Sequence, residues 1–358
     1  MERRASALYQ VFISLKSVMK EPLVSIIILN WNGKKWLQQL LPSLKKITYK
    51  PLEVIVVNNG STDDSAEYIK KSHSYIKILE LKKNVGYAGG NNRGVKSATG
   101  KYILLMNNDT LVTNDFVAPL VKAMEKDNTI GMLQPQIRSL IDRDALDSVG
   151  SYLTSTGFLY HYGYLKSYKG EKYQKQMPVY SIKGACFIMR KNDYMRLGGF
   201  DEDFICYVEE TDFCHRVWLS GKKVFYFPDS YMYHYGGGDM RVMTKDDLTM
   251  LRSFRNRIWS YCKNLSILEL IKILPVHILF CEVFILFALL TGKVRHSFGA
   301  QMGILACIPL LPKIIKKRKI IQQQIRKVED KDILPFIFRN PRISYYIYLF
   351  SSLKGFKD

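Results

Sequence analysis

The chain has 358 residues, 47% hydrophobic and 24% charged, with a mean hydropathy of −0.09. This is room for two domains and a sizeable core, and it excludes both wholesale disorder and a polytopic membrane protein. The 53 Lys and Arg against 32 Asp and Glu leave a net charge of +21, which favours an anionic partner: a nucleic acid, a phosphate-bearing substrate or an acidic lipid surface. The 6 cysteines fall in no C-x-x-C pair or zinc-like cluster, which fits a reduced, cytosolic setting.

Residues 1–21 form a basic segment whose apolar run is broken at Gln10 and Lys16; it reads as a short amphipathic helix rather than a secretory signal. Leu23–Leu29 is a β-branched strand ending at Asn30-Trp31-Asn32-Gly33, followed by a helical pattern through Leu37, Leu40, Leu41 and Leu44. Leu52–Val57 repeats the strand signal and closes on Asn58-Asn59-Gly60-Ser61-Thr62-Asp63, with a helix from about Ser65. Ile76–Leu81 and Tyr102–Met106 complete four strands alternating with helices, so residues 22–250 are expected to form a parallel, doubly wound α/β sheet. Ligands of such sheets bind outside the carboxyl ends of the strands.

The polar clusters at those ends are therefore the candidate sites. Glycines 86, 89, 90 and 94 in NVGYAGGNNRG would let backbone N–H groups approach a phosphate at a helix N-terminus. Asp109, in Asn107-Asn108-Asp109 directly after a buried strand, is fixed at the crevice, where one carboxylate plus phosphate oxygens suffices for Mg²⁺ or Mn²⁺. Glu209, Glu210 and Asp212 precede an amphipathic helix, which suits either dipole stabilisation or a general base. His234 stands beside Gly236-Gly237-Gly238, placed for a metal or phosphate contact.

Residues 251–358 carry 19 Lys and Arg against 6 Asp and Glu, so most of the excess charge belongs to the tail. Ile273–Thr291 is nearly all apolar, borderline for the ~20 residues of a span, and Ser297–Pro312 is a shorter apolar stretch. Lys313–Lys327 interleaves 7 basic residues with Ile and contains no acid, the pattern of an interfacial helix on an anionic membrane. The interleaving residue is not aromatic, which argues against nucleic acid. The apolar runs also suit a homodimer interface.

Taken in order, SIIILNWNG, VIVVNNGSTDDS, NVGYAGGNNRG, YILLMNNDT, the strand entering at Lys183-Gly184-Ala185, GGFDEDF, EETDFCHR and YHYGGG resemble the inverting family 2 glycosyltransferases of the GT-A fold. The resemblance covers about residues 22–240 and is greatest to the bacterial rhamnosyltransferase-like branch acting on lipid-linked glycans. It implies a GT-A catalytic domain with a helical, membrane-associating C-terminal region. It places Asn30, Asn59, Gly60, Ser61, Gly90, Asn91, Asn107 and Asn108 around the nucleotide-sugar, Asp109 and His234 on Mg²⁺ or Mn²⁺, and Glu210, or else Glu209, as the base. Asn107 replaces the first acid of the family's D-x-D motif, and Glu210 stands where the branch more often has Asp.

The implied reaction is metal-dependent, inverting transfer of one sugar from a nucleotide-diphosphate sugar to a lipid-linked or membrane-proximal glycan. It would serve cell-envelope polysaccharide assembly at the cytoplasmic face of the membrane, with the protein peripheral or monotopic or held by a single span. The absence of Q-x-x-R-W favours single addition over processive synthesis. A catalytically silent nucleotide-sugar or glycan-binding module is the alternative.

Overall fold

The computed structural model describes residues 21–236 and 246–351; the N-terminal segment up to residue 20 and the last two glycines of YHYGGG lie outside the described residues. The first β-branched run forms β1 (Val24–Asn30), paired in parallel register with β2 (Leu52–Asn59) and β4 (Tyr102–Asn107), while β3 (Lys77–Leu81) adds in parallel outside β2. Between them lie the helices α1 (Lys34–Lys45), α2 (Ser65–Ser72) and α3 (Gly86–Ser97). Alternation along β1 divides the core. Ile26 and Ile28 pack with Leu37 and Leu40 of α1 on one face, and Ile27 packs with Ala88 and Val95 of α3 on the other.

Beyond β4 the expected parallel order gives way to a mixed sheet. β5 (Thr110–Val112), α4 (Val117–Lys126), β6 (Ile130–Ser139), β7 (Leu146–Ser148), β8 (Gly150–Leu153), β9 (Leu159–Tyr162) and β10 (Met177–Pro178) precede β11 (Cys186–Arg190). β11 lies antiparallel between β4 and β6, giving the order β3-β2-β1-β4-β11-β6. No α-helix lies between β6 and its neighbour β11, so the right-handed crossover that goes with parallel pairing is missing there. After α5 (Lys191–Arg196) and α6 (Glu209–Leu219), β12 (Lys223–His234) runs parallel to β6 and carries the chain to the crevice.

The expected boundary at residue 250 falls inside α7 (Asp246–Asn264), which packs on α6. Tyr261, Leu265 and Ile273 share one apolar core with Ile27 and Phe213. Lys263 of α7 is buried, with its ammonium 2.5 Å from Asp201 and 2.9 Å from Asp212. Asp212 also accepts from Arg216 at 3.0 Å and Asn264 at 2.8 Å, so this acid serves as an anchor for α6 rather than as a dipole partner alone.

The tail continues as α8 (Ile267–Leu290), α9 (Val294–Leu305), α10 (Leu311–Ile320), a π-helical turn (Ile321–Ile325), α11 (Asp330–Ile337) and α12 (Ile343–Ser351). Among the described residues α8 alone is long and apolar enough to cross a membrane. One stripe of it (Ile273, His277, Cys281, Ala288) is buried against the protein, whereas Leu268, Ile271, Leu279, Val283, Leu286 and Leu290 are exposed.

Part of the basic run packs on the protein. Lys317 pairs with Asp201 and Asp203, Arg326 lies 2.8 Å from Asp330, and Arg318 donates to the carbonyls of Cys262 and Leu265 at 2.6 and 2.7 Å. Ile314 and Ile321 are buried. One face of Lys313–Lys327 therefore docks inward, with Lys313 and Lys317 on the acids of GGFDEDF, while Lys316, Lys319 and Lys327 stay exposed. The exposed apolar surface lies instead mainly on α8 and α9.

Candidate functional site

The carboxyl ends of β1, β2 and β4 are locked to one another by buried side-chain amides. Asn30 accepts from Asn108 Nδ2 at 2.9 Å and donates to Ser65 Oγ at 3.0 Å, joining the ends of β1 and β4 to α2. Gly33 is required here, since a Cβ would lie 2.1 Å from Asn108 Nδ2. Asn59 accepts from the Val85 N–H at 3.0 Å and donates to Asn84 Oδ1 at 3.0 Å, which fixes the loop before α3. Asp63, which the sequence patterns do not single out, caps two helices by accepting from the backbone of Lys34 at 3.0 Å and of Ser65 at 3.2 Å.

These contacts correct the expectation for the glycine-rich segment. The first N–H groups of α3 are already satisfied: Gly86 by Asn84 Oδ1 at 2.8 Å, and Tyr87 by the carbonyl of Ile205 at 2.9 Å. Gly90 and Asn91 are buried and face the protein. A Cβ on Gly90 would meet Leu29 Cδ1 at 2.3 Å, and Asn91 donates to the Tyr87 carbonyl at 3.0 Å. Gly90 and Gly94 admit close packing of α3 on Leu29, Ile27 and Val57 of the sheet. Asn30 and Asn59 are likewise buried, behind the crevice, whereas Gly60, Ser61 and Asn107 are half-buried at its rim.

Asp109 and His234 are brought together by strand pairing. Thr110 of β5 stands opposite His234 of β12 in antiparallel register, which puts His234 Nε2 3.2 Å from Asp109 Oδ1. Asn107 Nδ2 lies 3.5 Å from the same nitrogen. The other ring nitrogen, Nδ1, lies 2.8 Å from Asp147, whose carboxylate is in turn 2.7 Å from Lys183 Nζ. Burial works against a charge on His234, but hydrogen bonds to Asp109 and Asp147 outweigh it and raise the imidazole above its usual value. Burial opposes ionisation of Asp147 too, and His234 and Lys183 overcome it, holding the carboxyl at about 2.

The sequence patterns do not single out Asp147 and give Lys183 no role of its own. The first lies on the three-residue strand β7, outside any motif, and the second is marked only as the entry to the Gly184-Ala185 strand. Its one signal is its position just ahead of a buried strand.

Asp147, Lys183 and Glu210 line one cavity of about 370 Å³. Glu210 is half-buried at the N-terminus of α6, and burial lifts its carboxyl to about 7 although Lys183 pulls the other way. Glu209 is buried, its Oε2 has no hydrogen-bond partner, and burial together with the charge of Glu210 pushes it well above the carboxylate range. It therefore stays protonated behind Glu210. Of the two glutamates, Glu210 is the one that reaches the cavity.

The turn presenting them is strained. Ile205, Tyr207 and Val208 have φ of 66°, 68° and 71°, a left-handed region costly for β-branched and aromatic residues. Asn256 of α7 holds it, its amide shared among the carbonyls of Phe204, Cys206 and Tyr207 at 3.1, 3.0 and 2.8 Å. The tail thus fixes the entry to α6.

No group of three or more His, Cys, Asp or Glu placed to hold a metal ion occurs among the described residues. Asp109 and His234 nonetheless form a carboxylate–imidazole pair. With Nδ1 occupied by Asp147, Nε2 is directed at Asp109, a donor set that suits a divalent cation completed by phosphate oxygens.

Residues 25–198 match the family model described as glycosyl transferase family 2, and residues 167–237 match one described as N-terminal domain of galactosyltransferase. A Rickettsia bellii protein called an uncharacterized glycosyltransferase is 34% identical over 142 residues, 39% of this chain, but the chain spans only 19% of that relative's length. An N-acetylglucosaminyl-diphospho-decaprenol L-rhamnosyltransferase of Mycobacterium tuberculosis is 23% identical over 219 residues, 56% of this chain and 71% of the relative. Among solved structures, a Pyrobaculum calidifontis mannosyltransferase in complex with GDP-Man and Mn²⁺ shares the fold, with TM-score 0.51, 15% identity and coverage of 82% of this chain and 76% of that one. Matched residues, sheet and structural neighbour agree: residues 25–198, just under half of the chain, are similar to glycosyl transferase family 2, and the fold is that of the GT-A glycosyltransferases.

Proposed function

We propose that this protein transfers one sugar, with inversion, from a nucleotide-diphosphate sugar to a hydroxyl of a lipid-linked or membrane-proximal glycan. The observation that carries the reading is the linkage of Glu210, through the cavity it shares with Lys183 and Asp147, to the His234–Asp109 pair. Asp109 and His234 would hold Mg²⁺ or Mn²⁺, which supplies positive charge to a departing diphosphate. Asp147 fixes the ring of His234, and Lys183 keeps Asp147 ionised. Glu210 accepts the proton of the acceptor hydroxyl as its oxygen attacks the anomeric carbon, so one displacement inverts the configuration and no covalent intermediate is needed.

Incubation with a panel of UDP-, GDP- and dTDP-sugars, Mn²⁺ and candidate acceptors should release nucleoside diphosphate and give a product of inverted anomeric configuration by NMR. Nucleotide binding with no turnover on any donor would instead make the domain a silent binding module.

Membrane attachment is part of the same reading. The exposed apolar residues of α8, with its opposite stripe packed on the protein, suit a helix lying in the cytoplasmic leaflet rather than one surrounded by lipid. Leu279→Glu with Leu286→Glu should abolish flotation with phosphatidylglycerol vesicles. Flotation at the wild-type level would place the contact elsewhere.

A further inference from the structure

The turn that presents Glu210 is held from two sides. Asn256 of α7 grips it from one, and the first turn of α3 meets it from the other. A Cβ on Gly86 would lie 2.7 Å from the carbonyl oxygen of Ile205, so only glycine lets α3 begin this close to the turn. Tyr87 follows, and its N–H donates to that same carbonyl at 2.9 Å.

The side chain of Tyr87 reaches a further segment. Its hydroxyl donates to the carbonyl of Gly184 at 2.5 Å, 97 residues away along the chain. Residues 183–185, just ahead of β11, are thereby fixed at each position. The Lys183 N–H donates to Gln134 Oε1 at 2.7 Å, the Gly184 carbonyl accepts from Tyr87, and the Ala185 carbonyl accepts from the Asn107 N–H at 3.0 Å. Lys183 is the residue whose ammonium holds Asp147 and favours the carboxylate of Glu210. Tyr87 is itself well fixed: its ring centroid lies 5.7 Å from that of buried Phe200, and its carbonyl accepts from Asn91 Nδ2 at 3.0 Å. Burial, then the charges of Glu209 and Glu210, push its phenol well above the ordinary range. It therefore stays a neutral donor, within electrostatic reach of both glutamates.

The loop after β3 completes the junction. Asn59, the last residue of β2, accepts from the Val85 N–H at 3.0 Å and donates to the Gly86 carbonyl at 3.3 Å, directly ahead of Tyr87. One tyrosine thus joins the end of β2, the strand entry that carries Lys183 and the turn that carries Glu210. We propose that Tyr87 is a positioning residue for the transfer, setting where Lys183 and Glu210 stand relative to the end of β2. It acts through the Gly184 and Ile205 carbonyls rather than on the reacting atoms. The role rests on the transferase reading above and adds a residue to it.

The test uses the full-length protein with the nucleotide-sugar and acceptor that the panel above turns over. Tyr87→Phe keeps the ring on Phe200 and the backbone bond to Ile205, and deletes only the bond to Gly184. It should lower kcat about fivefold to tenfold, with donor KM and Mn²⁺-dependent nucleotide affinity within about twofold of wild type. With Lys183 less firmly held, the acid limb of kcat/KM should also move to higher pH, because Glu210 loses part of the charge that favours its carboxylate. Gly184→Ala supplies a second arm. Its Cβ would stand 3.0 Å from the Tyr87 hydroxyl oxygen, tighter than ordinary contact. It should therefore cost more kcat in the wild-type background than in Tyr87→Phe, where that oxygen is absent, so the two substitutions are non-additive. Any one of three results overturns the proposal alone: wild-type kcat in Tyr87→Phe, an unmoved limb, or strictly additive losses in the double variant. Loss of nucleotide binding in Tyr87→Phe also overturns it, since the tyrosine would then be a support of the fold only. No turnover of any donor by the wild-type protein overturns the transferase reading, and this role with it.

Discussion

Glu210→Gln is expected to lower kcat by about 10²–10⁴-fold, the usual worth of a positioned general base, with nucleotide affinity retained. Gln keeps the volume and the hydrogen-bonding reach of the side chain and removes only its capacity to take a proton. The environment of Glu210 adds a signature that a packing role would lack. Burial raises the carboxyl to about 7, so in the wild type kcat/KM should fall about tenfold per pH unit below that value and level off above it. In Glu210→Gln the residual rate should lose this limb. The sign for stability is opposite: the native state holds this proton to higher pH than the unfolded chain, so its contribution to stability is full below about 4.5 and is lost as pH rises through about 7. Glu209→Gln removes a carboxyl that is already protonated and should leave the pH limb in place. If Glu210→Gln turned over at the wild-type rate with an unchanged profile, the base would lie elsewhere.

Asp109→Ala should be nearly as damaging, costing about 10³-fold or more in kcat, because the cation it would help to hold is worth several kcal/mol to a leaving diphosphate and each ~1.4 kcal/mol is a decade in rate. The loss should be accompanied by a marked fall in Mn²⁺-dependent nucleotide affinity, read by calorimetry. The domain should stay folded, since Asp109 sits on the turn after the carboxyl end of β4 and the buried amides of Asn30 and Asn108 hold that turn without it. Asp147→Asn makes a useful companion. It keeps a hydrogen bond to His234 but removes the charge that fixes the ring, so a smaller loss than that of Asp109→Ala is expected. Full turnover by Asp109→Ala would refute its assigned role.

Strand positions were legible because apolar β-branched runs report burial, and Val24–Asn30, Leu52–Asn59 and Tyr102–Asn107 fall within a residue or two of the runs that predict them. Direction was not, because Cys186–Arg190 would present the same apolar run whether parallel or antiparallel to its neighbours. The polar clusters at strand ends marked the crevice, yet they could not say which amides turn outward. Asn30 and Asn59 are consumed in joining strand ends to loops and helices through partners 20 or more residues away, and Asn91 bonds back to Tyr87 within α3. Asp147 and Asn256 were invisible for a related reason: each acts through carbonyls or a ring that only the folded chain brings near. The cations of Lys313–Lys327 signal charge in the sequence, but composition does not say which of them pair with acids of the protein, as Lys317 and Arg326 do, and which stay exposed, as Lys316, Lys319 and Lys327 do.

The amide of Asn256, divided among three carbonyls of the turn before α6, makes the two halves of the molecule mechanically inseparable. A fragment cut ahead of Asp246 would keep every sheet strand and still let that turn relax toward right-handed backbone, carrying the proton acceptor out of line. Expression trials that trim the apolar C-terminal third to gain solubility would also remove Tyr261 and Leu265 from the core and Lys263 from buried Asp212, and would yield a destabilised and idle protein. In the intact molecule the same three contacts tie the aim of Glu210 to the position of α7.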